Sequence, residues 1–176
     1  MTEPEVSIRL ALYYIKNRMT DEIVTVSIDG AHVKTGSTVH FPIQDFLTSV
    51  GCRKVVSDDR WQGIYEVEGC QEKIEIVSTS GIGDVCVHLK NGQIIYVESK
   101  KGKANKSSQE YPLMREAIGQ LMTGIALTGD IIPMVAVPYS SKSYELANRW
   151  CSLEQIKKIG IQFALVHDDG KVDLVK

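Results

Sequence analysis

The residue types best suited to chemistry fall in one stretch, residues 83–100, where Asp84, Glu98 and Lys100 flank an Asn91-Gly92 turn. A two-residue Asn91-Gly92 turn would set Lys90 opposite Gln93 and so put Glu98 opposite Val85, a carboxylate among valines. A three-residue loop of Lys90, Asn91 and Gly92, with Gly92 in the left-handed position, sets Leu89 opposite Gln93 instead. Val85 then faces Val97 and Val87 faces Ile95 on one apolar side. On the other side Asp84 falls opposite Glu98, and Lys100 follows two residues on, pointing the same way. Facing carboxylates repel unless a positive charge lies between them, and a divalent metal is one such charge. A donor set made only of oxygens suits Mg²⁺ or Mn²⁺. A lysine at its edge can orient an attacking water and offset charge on a phosphate. The plain alternative is a solvated surface cluster in which Lys100 neutralises the two acids.

The elements that must hold this hairpin can be read from periodicity and breakers. Apolar residues at helical spacing predict a helix over 4–19, and alternation predicts a strand over 22–29 that Gly30 ends, with a second strand over 31–41. A short helix over 42–50 closes at Gly51. Strands follow over 63–68 and 73–78, then the hairpin over 84–100. Leu113, Ala117, Gln120, Leu121, Gly124 and Ile125 mark one face of a helix over 108–127. Residues 131–137 are nearly all apolar, the pattern of a strand buried on both faces. A helix over 143–159, a strand over 161–167 and a last strand over 171–175 complete the chain. This order predicts an α/β fold built on a mixed β-sheet flanked by helices, as a single domain over 1–176.

Composition narrows the function classes. The chain has 176 residues, and no apolar run approaches the roughly 18 that a membrane helix needs. An acidic N-terminus argues against a secretory signal, so a cytoplasmic, intracellular protein without a membrane partner is expected. Cys52, Cys70, Cys86 and Cys151 form no C-x-x-C pair and read as reduced thiols, and the four histidines lack zinc-site spacing. Net charge is −2 but uneven: residues 1–99 carry nine Lys and Arg against fourteen Asp and Glu, residues 100–176 eleven against eight. Binding nucleic acid by overall charge is therefore excluded, which leaves local strips such as Lys100, Lys101, Lys103 and Lys106.

At Gly83-Asp84 and Glu98-Ser99-Lys100 the chain resembles the PD-(D/E)XK, or restriction-endonuclease-like, nuclease superfamily. That family carries an aspartate at one strand start and Glu-x-Lys in the next strand, within a helix, three-stranded meander, helix, strand order. The element order above fits with insertions, and Gly83 stands where the name-giving proline would be. The resemblance implies a restriction-endonuclease-like core in which Asp84 and Glu98 ligate Mg²⁺ or Mn²⁺, the Ser99 carbonyl also reaches the metal, and Lys100 is the catalytic lysine. It further implies a glutamate from the first helix, for which Glu5 is the natural candidate with Glu3 behind it, and a polar residue in the helix after the motif, Gln120.

The expected function is a metal-dependent nuclease hydrolysing phosphodiester bonds by in-line attack of water to leave a 5′-phosphate. DNA is the first substrate to consider, in restriction, repair, recombination or phage defence. Lys101, Lys103, Lys106 and Arg115 would extend the contact to the backbone, with Tyr111 beside Arg115. Neither a zinc finger nor a helix-turn-helix is apparent, so specificity would come from inserted loops, a second copy of the chain or a partner subunit. The alternative is a non-catalytic nucleic-acid or protein interaction module, or a partner-dependent nuclease subunit, that retains the fold.

Overall fold

The first helix begins where its sequence demands. Thr2 accepts a hydrogen bond from the Glu5 N–H, and Pro4 sits in the first turn, where its missing N–H costs nothing. In the computed structural model, which describes residues 1–79, 81–102 and 109–176, this helix is α1 (Glu3–Lys16). The chain continues as β1 (Val24–Ser27), α2 (Gly30–Val33), β2 (Lys34–Thr35), β3 (Thr38–Val39), α3 (Ile43–Ser49), β4 (Cys52–Lys54), β5 (Gly63–Val67) and β6 (Lys73–Val77). The hairpin β7 (Val85–His88) and β8 (Ile94–Ser99) follows, then α4 (Glu110–Gly124), β9 (Ile131–Pro138), α5 (Ser141–Cys151), α6 (Glu154–Ile159), β10 (Gln162–Val166) and β11 (Val172–Val175).

Nine strands form one mixed sheet in the order β11-β10-β9-β8-β7-β1-β6-β5-β4, so the expected α/β class with helices around a mixed sheet is present. β7 runs antiparallel to both β1 and β8, while β9 lies parallel to β8 and β10 parallel to β9. The sheet has two differently covered faces. On one, α1 packs Val6, Ile8 and Leu10 against Val26, Val85, Val97 and Ala136, and Phe41, Ile43 and Leu47 belong to the same core. On the other, Met114, Ala117 and Leu121 of α4 and Leu146 and Trp150 of α5 pack against Tyr96, Val135, Val137, Phe163 and Leu165. Both cores consist of buried side chains, whose larger aliphatic and aromatic members each contribute roughly 1.5–3 kcal/mol of apolar transfer.

Three expectations differ from the structure. The strand over 31–41 is replaced by the short helix α2 and the small β2–β3 ribbon, because Asp29 accepts from the Ala31 N–H and turns the chain into a helical turn. The helix over 143–159 divides into α5 and α6, because the Ser152 hydroxyl donates to the Arg149 carbonyl and Leu153 is extended. β4 adds an edge strand too short for its alternation to register. The start of the helix expected over 108–127, at residue 108, lies outside the described residues, as does residue 80. The four cysteines are free, and among the described residues no helix is long and apolar enough to cross a membrane.

Candidate active site

The register argued from the turn is the one observed: Val85 pairs with Val97, Cys86 with Tyr96, Val87 with Ile95 and His88 with Ile94. The Gly92 N–H donates to the Leu89 carbonyl, and the Leu89 N–H to the Gln93 carbonyl, which closes the three-residue loop. Gly92 takes the left-handed conformation that loop requires, at φ +85°.

At the far end of the hairpin, Asp84 sits one residue before β7. Its N–H donates to the Val97 carbonyl, 2.8 Å, and its own carbonyl accepts from the Ser27 N–H of β1, 2.9 Å. The carboxylate is held as well, since Oδ2 accepts from the Ser99 N–H at 2.6 Å. Gly83 permits this approach. It has φ +69°, and a Cβ there would lie 2.7 Å from the Tyr96 ring and 2.9 Å from the Val97 carbonyl. Proline is locked near φ −65°, so the name-giving residue of the resembled motif cannot occupy this backbone.

Glu98 and Lys100 lie on the α4 side of the sheet, in phase with Tyr96. Asp84, Glu98, Tyr96 and Gln120 all line one cleft of about 630 Å³, together with Ser27, Asp29 and Thr123. The electrostatics of this cleft are unfavourable to two charged acids. Burial pushes the Asp84 carboxyl up to about 6, with Glu3 adding to the rise and the Ser99 N–H, Lys100 and His32 opposing it. Burial likewise pushes Glu98 up to about 7, reinforced by Asp84 and opposed by Lys100. Tyr96 is raised to about 12 by burial and by both acids. Lys100 is buried, and its Nζ lies 3.2 Å from Oε1 of Glu116 on α4.

The other predicted residues divide. Ser99 is fully buried; its hydroxyl accepts from Ser7 of α1 at 2.9 Å, and its N–H serves Asp84. Gln120 reaches the cleft as expected, though as an exposed side chain rather than an amide inside an apolar face. Glu5 does not reach the site. It pairs with Arg9 at 3.1 Å, and the carboxylate of the first helix that acts on Asp84 and Glu98 is Glu3, which also lies 3.6 Å from His32 Nδ1. Consecutive helix residues are rotated by about 100°, so Glu3 and Glu5 cannot face the same way. Lys101 is exposed just beyond the motif strand. Arg115 is turned to another side of α4, over the Tyr111 ring at 5.4 Å, in a groove lined by Trp150 and Leu153. Lys103 and Lys106 lie outside the described residues. His88 stands at the turn end of the hairpin, 3.8 Å from Glu22, away from the acids.

Sequence reasoning missed Glu116, for which the sequence carries no signal, and His32. It ranked Glu3 second, although Ser7, a lone hydroxyl four residues later on an apolar helix, marks the stripe that meets β8. A larger cleft of about 1050 Å³ lies at β4 and β5, but its charges pair locally, Arg53 with Glu66 at 2.7 Å and Lys54 with Asp58.

As a cation site the cleft offers two side-chain carboxylates whose charged forms are destabilised by burial and by a neighbouring acid, Glu3 for Asp84 and Asp84 with Glu3 for Glu98. Among the described residues, no three His, Cys, Asp or Glu side chains cluster tightly enough to enclose an ion. Such a donor set fits a hard cation that keeps several waters, as Mg²⁺ does, and does not fit a fully protein-enclosed metal. No protein-family model, curated protein or solved structure matches the chain.

Proposed function

We propose that the chain is a metal-dependent nuclease with a restriction-endonuclease-like core, hydrolysing phosphodiester bonds in DNA at the Asp84 and Glu98 cleft with Lys100 beside it. The observation that carries the proposal is the acid pair itself. Two partly buried carboxylates line one cleft, with a buried lysine one residue beyond β8, although burial disfavours the charge on both and Asp84 further raises the pKa of Glu98. A fold without chemistry gains nothing from that cost, whereas a divalent cation removes it. The element order supports the reading too. α1, the β1–β7–β8 meander, α4 and β9 follow the order of the resembled superfamily, with residues 28–83 inserted after the first strand.

Asp84 and Glu98, with the Ser99 carbonyl, would hold Mg²⁺ or Mn²⁺, and Glu3 stands behind them on α1. When bound, that cation would polarise a phosphoryl oxygen and acidify a water. The residues of the chain perform the rest. The Ser99 N–H fixes the rotamer of Asp84, so one donor is oriented before anything binds. Lys100 would orient the attacking water in line with the leaving oxygen and offset charge on the phosphate. Gln120 and Thr123, exposed at the cleft rim, are placed to donate hydrogen bonds to the incoming strand.

Supercoiled, linear and single-stranded DNA incubated with Mg²⁺ or Mn²⁺ test the reading directly. The expected result is cutting that requires the cation and falls by at least about 100-fold in Lys100→Ala and in Glu98→Gln. Equal background in all three proteins, with no cation-linked thermal stabilisation of the wild type, would overturn it. A non-catalytic interaction module would then lead.

A further inference from the structure

Lys100 is 5% exposed, and a buried ammonium requires a partner. Its positive charge acts on two carboxylates of the adjoining cleft, Asp84 and Glu98. Its ion pair among the described residues is with neither of them: Nζ lies 3.2 Å from Oε1 of Glu116, whose side chain is 56% exposed. Glu116 stands one turn before Gln120 on α4, and that helix is anchored on the sheet by Met114, Ala117 and Leu121. The acid is thus presented to Lys100 from a fixed base, one turn from the Gln120 that lines the cleft.

We propose that Glu116 is a positioning residue that holds the Lys100 ammonium away from Asp84 and Glu98, so that the acid pair stays open to a divalent cation. The inference rests on the nuclease reading. A lysine has a flexible four-carbon stem and three donors. Released from Glu116, Lys100 would settle on the nearest unneutralised carboxylates and compete with the cation for the same oxygens. Held by Glu116, it keeps its charge to one side of the acid pair. One helix therefore separates two positive charges that would otherwise seek one pair of acids.

The test is a Mn²⁺ titration of the full chain by calorimetry in the wild type, Glu116→Gln, Glu116→Asp, Lys100→Ala and the Lys100→Ala/Glu116→Gln double variant. Glu116→Gln is expected to weaken Mn²⁺ binding by about 10-fold, with cleavage recovering at saturating Mn²⁺, and Glu116→Asp to restore affinity. In the Lys100→Ala background, Glu116→Gln is expected to change nothing, because the residue acts through the lysine. Wild-type affinity in Glu116→Gln overturns the inference alone. An equal weakening with and without Lys100 also overturns it, since the acid would then act only by its field. Absence of Mn²⁺ binding by the wild type overturns the inference and the nuclease reading together.

Discussion

β8 presents two rows of side chains to two different environments. Toward α1 it offers Ile95, Val97 and Ser99, all 3% exposed or less, ending in a hydroxyl bonded to Ser7. Toward α4 it offers Tyr96, Glu98 and Lys100, in which a phenol gives way to an acid and a buried ammonium. The first row meets every polar need locally and adds apolar burial. The second leaves an acid destabilised by burial and by its neighbour Asp84. The strand's stability is thus supplied by one face and spent on the other, an arrangement expected of functional rather than structural residues.

Substitutions on the two rows should separate these roles. Ile95→Ala, on the α1 row, is expected to cost about 2–5 kcal/mol in urea unfolding while leaving any Mg²⁺-linked thermal shift intact. Gly83→Ala lies between the rows. Its positive φ and the Tyr96 ring at 2.7 Å predict a loss of about 1–3 kcal/mol and displacement of Asp84, read as lower stability with weakened cation binding. On the α4 row the expected sign reverses. The folded pKa values of Asp84 and Glu98, about 6 and about 7, exceed their ordinary values, so the folded state binds more protons than the unfolded state between pH 4 and 7. Stability without divalent cation is therefore full at pH 4 and falls as pH rises through 7. Glu98→Gln should match the wild type near pH 4 and melt a few degrees higher at pH 8. Mg²⁺ should stabilise only the wild type there. The smallest effect belongs to Ser7→Ala, which leaves the Ser99 hydroxyl without its donor and should cost about 1 kcal/mol in thermal unfolding.

The difference between the rows also explains what was legible in the sequence. The hairpin register was, because the Asn91-Gly92 turn and the Val85, Val87, Ile95 and Val97 alternation demand the same pairing and a slip would reverse every side chain. The two-sided burial of β9 was legible from its unbroken apolar run. The partners of the second row were not. Whether Glu3 or Glu5 faces the acids depends on how α1 is rotated about its axis, and both lie in the same first turn. Glu116 comes from a helix that follows the motif in sequence and meets Lys100 only after α4 packs across the sheet. α2 escaped notice because one side-chain cap, Asp29, redirects a segment whose alternation otherwise suits a strand. Local patterns report pairing; they do not report which way a helix is turned.

The backbone at Asp84 is bonded on both flanks, through its N–H to Val97 and through its carbonyl to Ser27. It therefore belongs to the middle of the sheet, between β1 and β8, rather than to a fraying strand end. Amide hydrogen exchange at Asp84 should follow the opening of the whole sheet rather than a local fluctuation. A carboxylate carried on so slow a backbone cannot drift from Glu98 to relieve their repulsion. The only quick escapes are a proton or a cation, which makes the position a sensor of both.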